Sequence, residues 1–218
     1  MDLLVTMVPL ALVVGLSPLP ILPILLLLST TRANVVAYLI AWVVTLTAVV
    51  LVTVFLGSAA AEASDEPAPS INWVQVVTGA VFLVLAGVKF LGSRGKDSHE
   101  PPGWMAALES ATPSSTARLG ALLAGLNPKN LAMAIAAGAE IAVYARGAAD
   151  KVGAIAVFVV IGSLGVGVPV VARVILGDRA AGPLATGRDW LMRNASTVSI
   201  VVLLVLGVLL LVKGLSGA

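Results

Sequence analysis

The sequence predicts an all-α integral membrane protein with six transmembrane helices arranged as two inverted three-helix repeats. Three observations predict it. Hydrophobic residues make up 59% of the 218 residues and charged residues 11%, with mean hydropathy +1.07. A soluble domain is about half apolar and about a quarter charged. The apolar runs are long and lack period-two alternation, which means helices rather than an outer-membrane barrel. Finally, Gly15-Leu16-Ser17-Pro18 returns as Gly125-Leu126-Asn127-Pro128, 110 positions later. Three spans lie in each half, and an odd number of crossings inverts the second.

Composition also narrows the chemistry. There is no cysteine, so disulfides, iron–sulfur clusters and thiol catalysis are excluded. The single histidine, His99, lies in a polar loop. No carboxylate pair sits deep in an apolar run, and no nucleophile–base pair is evident. The chain is therefore read as a non-enzyme with no catalytic residues, metal or cofactor. The net charge of +2 and the pI near 9.2 fit cytoplasmic loop anchoring. No basic patch interleaves with aromatics, so nucleic acid is not an expected partner. Asp2 stands where a cleaved signal would carry a basic residue, and the first segment is expected to be retained.

The first span, about Leu3–Leu28, carries Pro9, Pro18, Pro20 and Pro23. Proline has no N–H and frees the carbonyl four residues earlier. Pro18 and Pro20 should thus free the carbonyls of Val14 and Leu16 and break the helix around Ser17. A cluster of prolines favours a break lining a polar cavity over a plain kink. Bare backbone survives in lipid only where protein or water satisfies it. Ser29–Asn34, with Arg32, is a tight connection.

The second span, about Val35–Gly57, is rich in β-branched residues. Its hydroxyls, on Thr45, Thr47 and Thr53, are expected to bond back to their own helix. Ser58–Ser70 holds Glu62, Asp65 and Glu66 without Lys or Arg, and reads as an external loop. The third span, about Asn72–Leu91, has Gly79 and Gly87 on one face for close packing.

The fourth span, about Leu119–Val143, contains Gly125–Asn130, then Ala134 and Gly138 as a small-residue pair. Glu140, near its far end, is expected to reach the headgroups. In the fifth, about Val152–Leu176, Gly162, Gly165 and Gly167 precede Pro169. That pattern reads equally as a flexible or broken segment or as close helix packing. Gly177–Asn194 sets Arg179, Arg188 and Arg193 around Trp190-Leu191-Met192, an interfacial patch. The sixth span, about Thr197–Val212, is plain Val/Leu helix with Gly207, suited to a peripheral position.

The chain thus divides into a first three-helix repeat (1–92), a cytoplasmic linker (93–118) with a short interfacial helix at Trp104–Leu108, and a second repeat (119–218). Nine Lys and Arg flank the loops after spans one, three and five, against Arg146, Lys151 and Lys213 on the other side. The positive-inside rule then puts both termini outside the plasma membrane.

Lys129 lies roughly 15 Å into its apolar run, near mid-bilayer. An uncompensated lysine at a helix centre costs about 2.5–3.5 kcal/mol on insertion scales. With no carboxylate at that depth, its partner is either the freed carbonyls of the first span or an anionic substrate group. A motif that only caps a broken helix is the bland alternative. Asn127 and Asn130, three apart, share a helix face and can hydrogen-bond a ligand. The candidate substrate-binding residues are Lys129, Asn127, Asn130 and Ser17. The candidate break and gating residues are Pro18, Pro20, Pro23, Pro128, Gly125, Gly165, Gly167 and Pro169. The lack of intramembrane Asp and Glu disfavours cation transport.

The proline-rich first span, Trp104, Gly120, and Asn127-Pro128-Lys129-Asn130 opening an Ala/Gly-rich helix together resemble the LysE transporter superfamily. Within it, the chain is most similar to the peptidoglycolipid-addressing protein family (GAP/Sap-like). The resemblance covers essentially the whole chain, and Asn127-Pro128-Lys129 is its diagnostic part. Pro18 and Pro20 correspond to the proline motif of the first half. Ser17-Pro18-Leu19-Pro20 departs from the Pro-Gly-Pro form of amino-acid exporters, which weighs against that substrate class. The resemblance implies a plasma-membrane exporter or flippase of an amphiphilic, anionic cell-envelope glycolipid or lipid precursor. The alternatives are an amino-acid or small-solute exporter of the LysE type, and a non-transporting scaffold for envelope-lipid export. The implied partners are membrane lipids, the substrate, and a second copy of the chain or the envelope-lipid export machinery.

Overall fold

A computed structural model describes residues 3–62, 73–93, 108 and 110–216. It is helical, with no strand among the described residues. The helices are α1 (Leu3–Gly15), α2 (Pro18–Leu27), α3 (Arg32–Glu62), α4 (Trp73–Ser93), α5 (Pro113–Gly125), α6 (Pro128–Tyr144), α7 (Ala148–Leu176) and α8 (Ala181–Ser216). A 3-10 turn, Gly177–Ala180, joins the last two. Three of these helices, α3, α7 and α8, are long and apolar enough to cross a membrane. The pair α1–α2, bent by 48° at its break, makes a fourth candidate crossing. Large apolar side chains such as Phe55, Val84, Ile175 and Val212 are exposed. Such an apolar outer surface suits lipid.

Packing follows a swapped pattern. Helix α1 packs on α7, and α5 packs on α3. Helix α2 touches α8 and α6 touches α4, while α4 and α8 pair with each other. Glycines allow these crossings. A Cβ on Gly15 would stand 2.5 Å from the carbonyl oxygen of Ile161, and a Cβ on Gly165 would collide with the carbonyl of Gly15. A Cβ on Gly120 would stand 2.5 Å from the carbonyl oxygen of Tyr38. Gly79 and Gly207 face each other where α4 meets α8. Small residues let backbones approach closely where lipid offers no hydrophobic drive.

Several expectations change. The fourth span begins not at Leu119 but at Pro113, where Thr112 caps α5. The Thr112 hydroxyl accepts the Ser115 N–H at 3.3 Å, and the Ser115 hydroxyl accepts the Thr112 N–H at 2.9 Å. This capping box satisfies two otherwise bare donors. Helix α7 runs unbroken through Gly165, Gly167 and Pro169, so these residues make no break here. Close packing describes Gly165, whereas a Cβ on Gly167 would meet open space. From Ala181 onward, the Gly177–Asn194 patch and the sixth span merge into the single helix α8, with Gly177–Ala180 left as the 3-10 turn. Pro183 does not stop it, because a first-turn proline forfeits no helical hydrogen bond. Glu140 is buried rather than reaching headgroups. Gly79 is packed as expected, but Gly87 is open. Thr47 and Thr53 bond back to Val43 and Val49 as expected. His99, Asp65, Glu66 and residues 104–107, where a short interfacial helix was expected, lie outside the described residues.

Candidate functional site

Both Gly-Leu-Xaa-Pro stretches break their helices, and with the same geometry. Helix α1 ends at Gly15 and α5 at Gly125. Leu16 N–H bonds to Leu12 O at 2.8 Å, and Leu126 N–H bonds to Leu122 O at 2.8 Å. Ser17 then turns extended at φ −71°, ψ 118°, and Asn127 at φ −67°, ψ 115°. Each is the N-cap of the next helix, with Pro18 or Pro128 at its first position. Proline is well placed there, because its missing N–H has no helical acceptor. The caps differ. Asn127 Oδ1 accepts the Lys129 N–H at 3.2 Å, whereas the Ser17 side chain makes no capping bond.

Where the chain leaves the helix, the next N–H no longer reaches the carbonyl four residues back. In the first break Ser17 N–H goes to Val14 O at 3.2 Å, so Val13 O loses its helical partner. Lys129 Nζ donates to that oxygen at 2.9 Å, across 116 positions of sequence. In the second break the equivalent carbonyl is Leu123, and Asn130 Nδ2 donates to it at 3.0 Å. The position matching Asn130 in the first half is Pro20, which has no donor. Each half therefore frees the same carbonyl, and the second half supplies both donors. The carbonyls expected from proline positions alone were Val14 and Leu16. The one that meets Lys129 is Val13.

The sequence-predicted residues thus divide. Lys129, Asn127 and Asn130 gather at the two breaks with Ser17, Pro18, Pro20 and Gly125. Ser17, Pro18, Pro20, Pro23 and Asn130 are buried, Lys129 and Asn127 are half-buried, and Pro128 is exposed. Asn127 and Asn130 do not act as one pair. Asn127 caps its helix, and Asn130 caps a carbonyl. Gly165 reaches the region from α7 by packing on Gly15, while Gly167 points away from the packed core.

Sequence reasoning missed a stripe on α3. Tyr38, Trp42, Leu46 and Val50 recur every four residues, and all are fully buried. Tyr38 Oη donates to Pro20 O at 2.8 Å and ties α2 to α3. One turn beyond Trp42, Leu46 packs at Gly162, which also meets Val14. Trp42 lies between Tyr38 and Leu46 on the same buried face of α3. Its Nε1 and the Asn130 Oδ1 are buried without a hydrogen-bond partner. A buried polar atom left unpaired costs about 1–3 kcal/mol. The signal available was the four-residue spacing of the two aromatics.

A family model described as Sap, sulfolipid-1-addressing protein, matches residues 7–216. The chain belongs to the SfLAP family. No curated protein and no solved structure matches it. The SfLAP match takes in both breaks, the Tyr38–Val50 stripe and the whole of α7. This SfLAP protein is thus a membrane protein of a lipid-addressing family, and its paired breaks lie inside the family's shared region.

Proposed function

We propose that this SfLAP protein moves an amphiphilic, anionic cell-envelope lipid across the plasma membrane, as an exporter or flippase. The family description names sulfolipid-1, by that name a sulfur-acid lipid and so an anionic one. The observation that carries the reading is the Lys129–Val13 contact at 2.9 Å. A carbonyl accepts one hydrogen bond from the ammonium but leaves its charge uncancelled. A sulfate or phosphate offers a full countercharge, and charge-assisted bonds are roughly twice as strong as neutral ones. An anionic headgroup would therefore draw Lys129 from Val13 and loosen the tie between the two breaks. Asn130 Oδ1 and Trp42 Nε1 supply an acceptor and a donor for the headgroup's hydroxyls.

Matching break geometry and swapped packing support two three-helix repeats, inverted as in many secondary transporters. The same features fit membership of the LysE superfamily. Rocking of one repeat against the other would carry the headgroup past the breaks. The protein works without a cofactor or catalytic chemistry, with both termini outside. The test is lipid movement by the purified protein in proteoliposomes, read with a fluorescent anionic glycolipid and dithionite quenching. Wild type should accelerate flipping, and Lys129→Met should reduce it at least tenfold. A wild-type protein that moves no lipid by itself would sink the reading and favour a scaffold of the export machinery.

A further inference from the structure

A second feature lies away from the breaks. The end of α2, the end of α7 and the first part of α8 enclose a pocket of about 220 Å³. Arg173 and Arg188 line it, with Leu25, Leu28 and Leu184 as apolar walls and Ser29 among its lining residues. The 3-10 turn between α7 and α8 begins at Gly177, whose φ of 55° lies in the left-handed region. Arg173 Nη1 donates to Gly177 O at 2.7 Å, which anchors one guanidinium against that turn. Arg188 pairs with its sequence neighbour Asp189 at 2.9 Å, with their side chains 37% and 48% exposed. Exposed pairs of this kind contribute about 0–1 kcal/mol, so an incoming anion displaces the carboxylate easily.

Two guanidiniums above leucine walls match one kind of ligand. Guanidinium forks suit the oxygens of phosphate and sulfate, and the leucines suit the start of an acyl chain. The pocket joins the loops after the first and fifth spans, the side the charge count places in the cytoplasm. We propose that this pocket binds the phosphate or sulfate ester headgroup of an inner-leaflet lipid. The site is distinct from the Lys129 contact and holds whether or not the chain moves lipid.

The full chain in detergent, studied by native mass spectrometry, tests this with dioctanoyl phosphatidic acid, dioctanoyl phosphatidylcholine and inorganic phosphate as probes. Wild type should retain phosphatidic acid over phosphatidylcholine. Arg173→Gln/Arg188→Gln should bind it at least tenfold more weakly. Arg179→Gln/Arg193→Gln, which removes two exposed charges of the same segment, should bind like wild type. Ala185→Trp keeps both arginines but fills the pocket, and should also lose binding. This variant decides the matter if the double variant fails to fold. Equal losses in both arginine pairs, or full binding by Ala185→Trp, would overturn the site. Displacement by inorganic phosphate at equal concentration would overturn the lipid as occupant and assign a free oxyanion.

Discussion

Lys129 Nζ and the carbonyl of Val13 stand 2.9 Å apart, and they join the two helix breaks of the molecule. The contact links residues whose own halves solve the same problem differently. Leu123, the counterpart of Val13, is capped within its half by Asn130. Val13 has Pro20 where that asparagine would be, and takes its donor from the other half.

Lys129→Met should separate transport from folding. It strands Val13 O, at about 1–3 kcal/mol, but also removes the cost of holding an ammonium in the membrane. Net stability should change by no more than about 1–2 kcal/mol, while lipid flipping falls at least tenfold. Lys129→Arg should keep part of the activity. Thermal unfolding in detergent beside the proteoliposome assay checks both. Parallel loss of stability and activity would make the residue purely structural.

Gly165 and Gly167 lie on one helix and should respond oppositely. A Cβ at Gly165 meets the Gly15 carbonyl, whereas one at Gly167 meets nothing. Gly165→Ala should destabilise by about 1–3 kcal/mol, as overpacking does. Gly167→Ala should be neutral or stabilise by up to about 1 kcal/mol, the helix-propensity gain over glycine. Melting temperatures of the two variants decide it.

Tyr38→Phe deletes the bond to Pro20 O at 2.8 Å and little else. The loss should be about 0.5–1.5 kcal/mol. Because Tyr38 ties α2 to α3, proteolysis near the first break should speed up. Unchanged cleavage would mean that packing alone holds α2.

The absence of native cysteine makes accessibility labelling clean. Ser29→Cys and Ala185→Cys should label from the cytoplasmic side. Arg146→Cys, in the short connection between α6 and α7, should label from outside. Labelling of all three from one side would rule out six crossings with inverted repeats.

The breaks were legible because their cause is local. A proline has no N–H wherever it stands, so Pro18 and Pro128 mark the two interruptions. The identity of the freed carbonyl was not legible. It depends on which carbonyl the Ser17 N–H takes: it bonds Val14 O and leaves Val13 O to Lys129. Helix α7 shows a choice that the sequence left open. Three glycines before Pro169 fitted a broken segment and close packing equally, and α7 runs on through them and packs on α1 through Gly165. The Gly177–Asn194 stretch likewise read as an interfacial patch apart from the sixth span, but the helix that pairs with α4 runs from Ala181 through both.

By itself the sequence determined the membrane environment, the positions of both helix breaks and the lysine placed at one of them. These rest on composition and on backbone chemistry, which act within a few residues. Only the tertiary structure decided which carbonyl meets Lys129, that Asn130 caps its own half, and that Tyr38 reaches Pro20. Those outcomes depend on which helices approach across more than a hundred residues, and backbone hydrogen bonding within a helix carries no information about its neighbours.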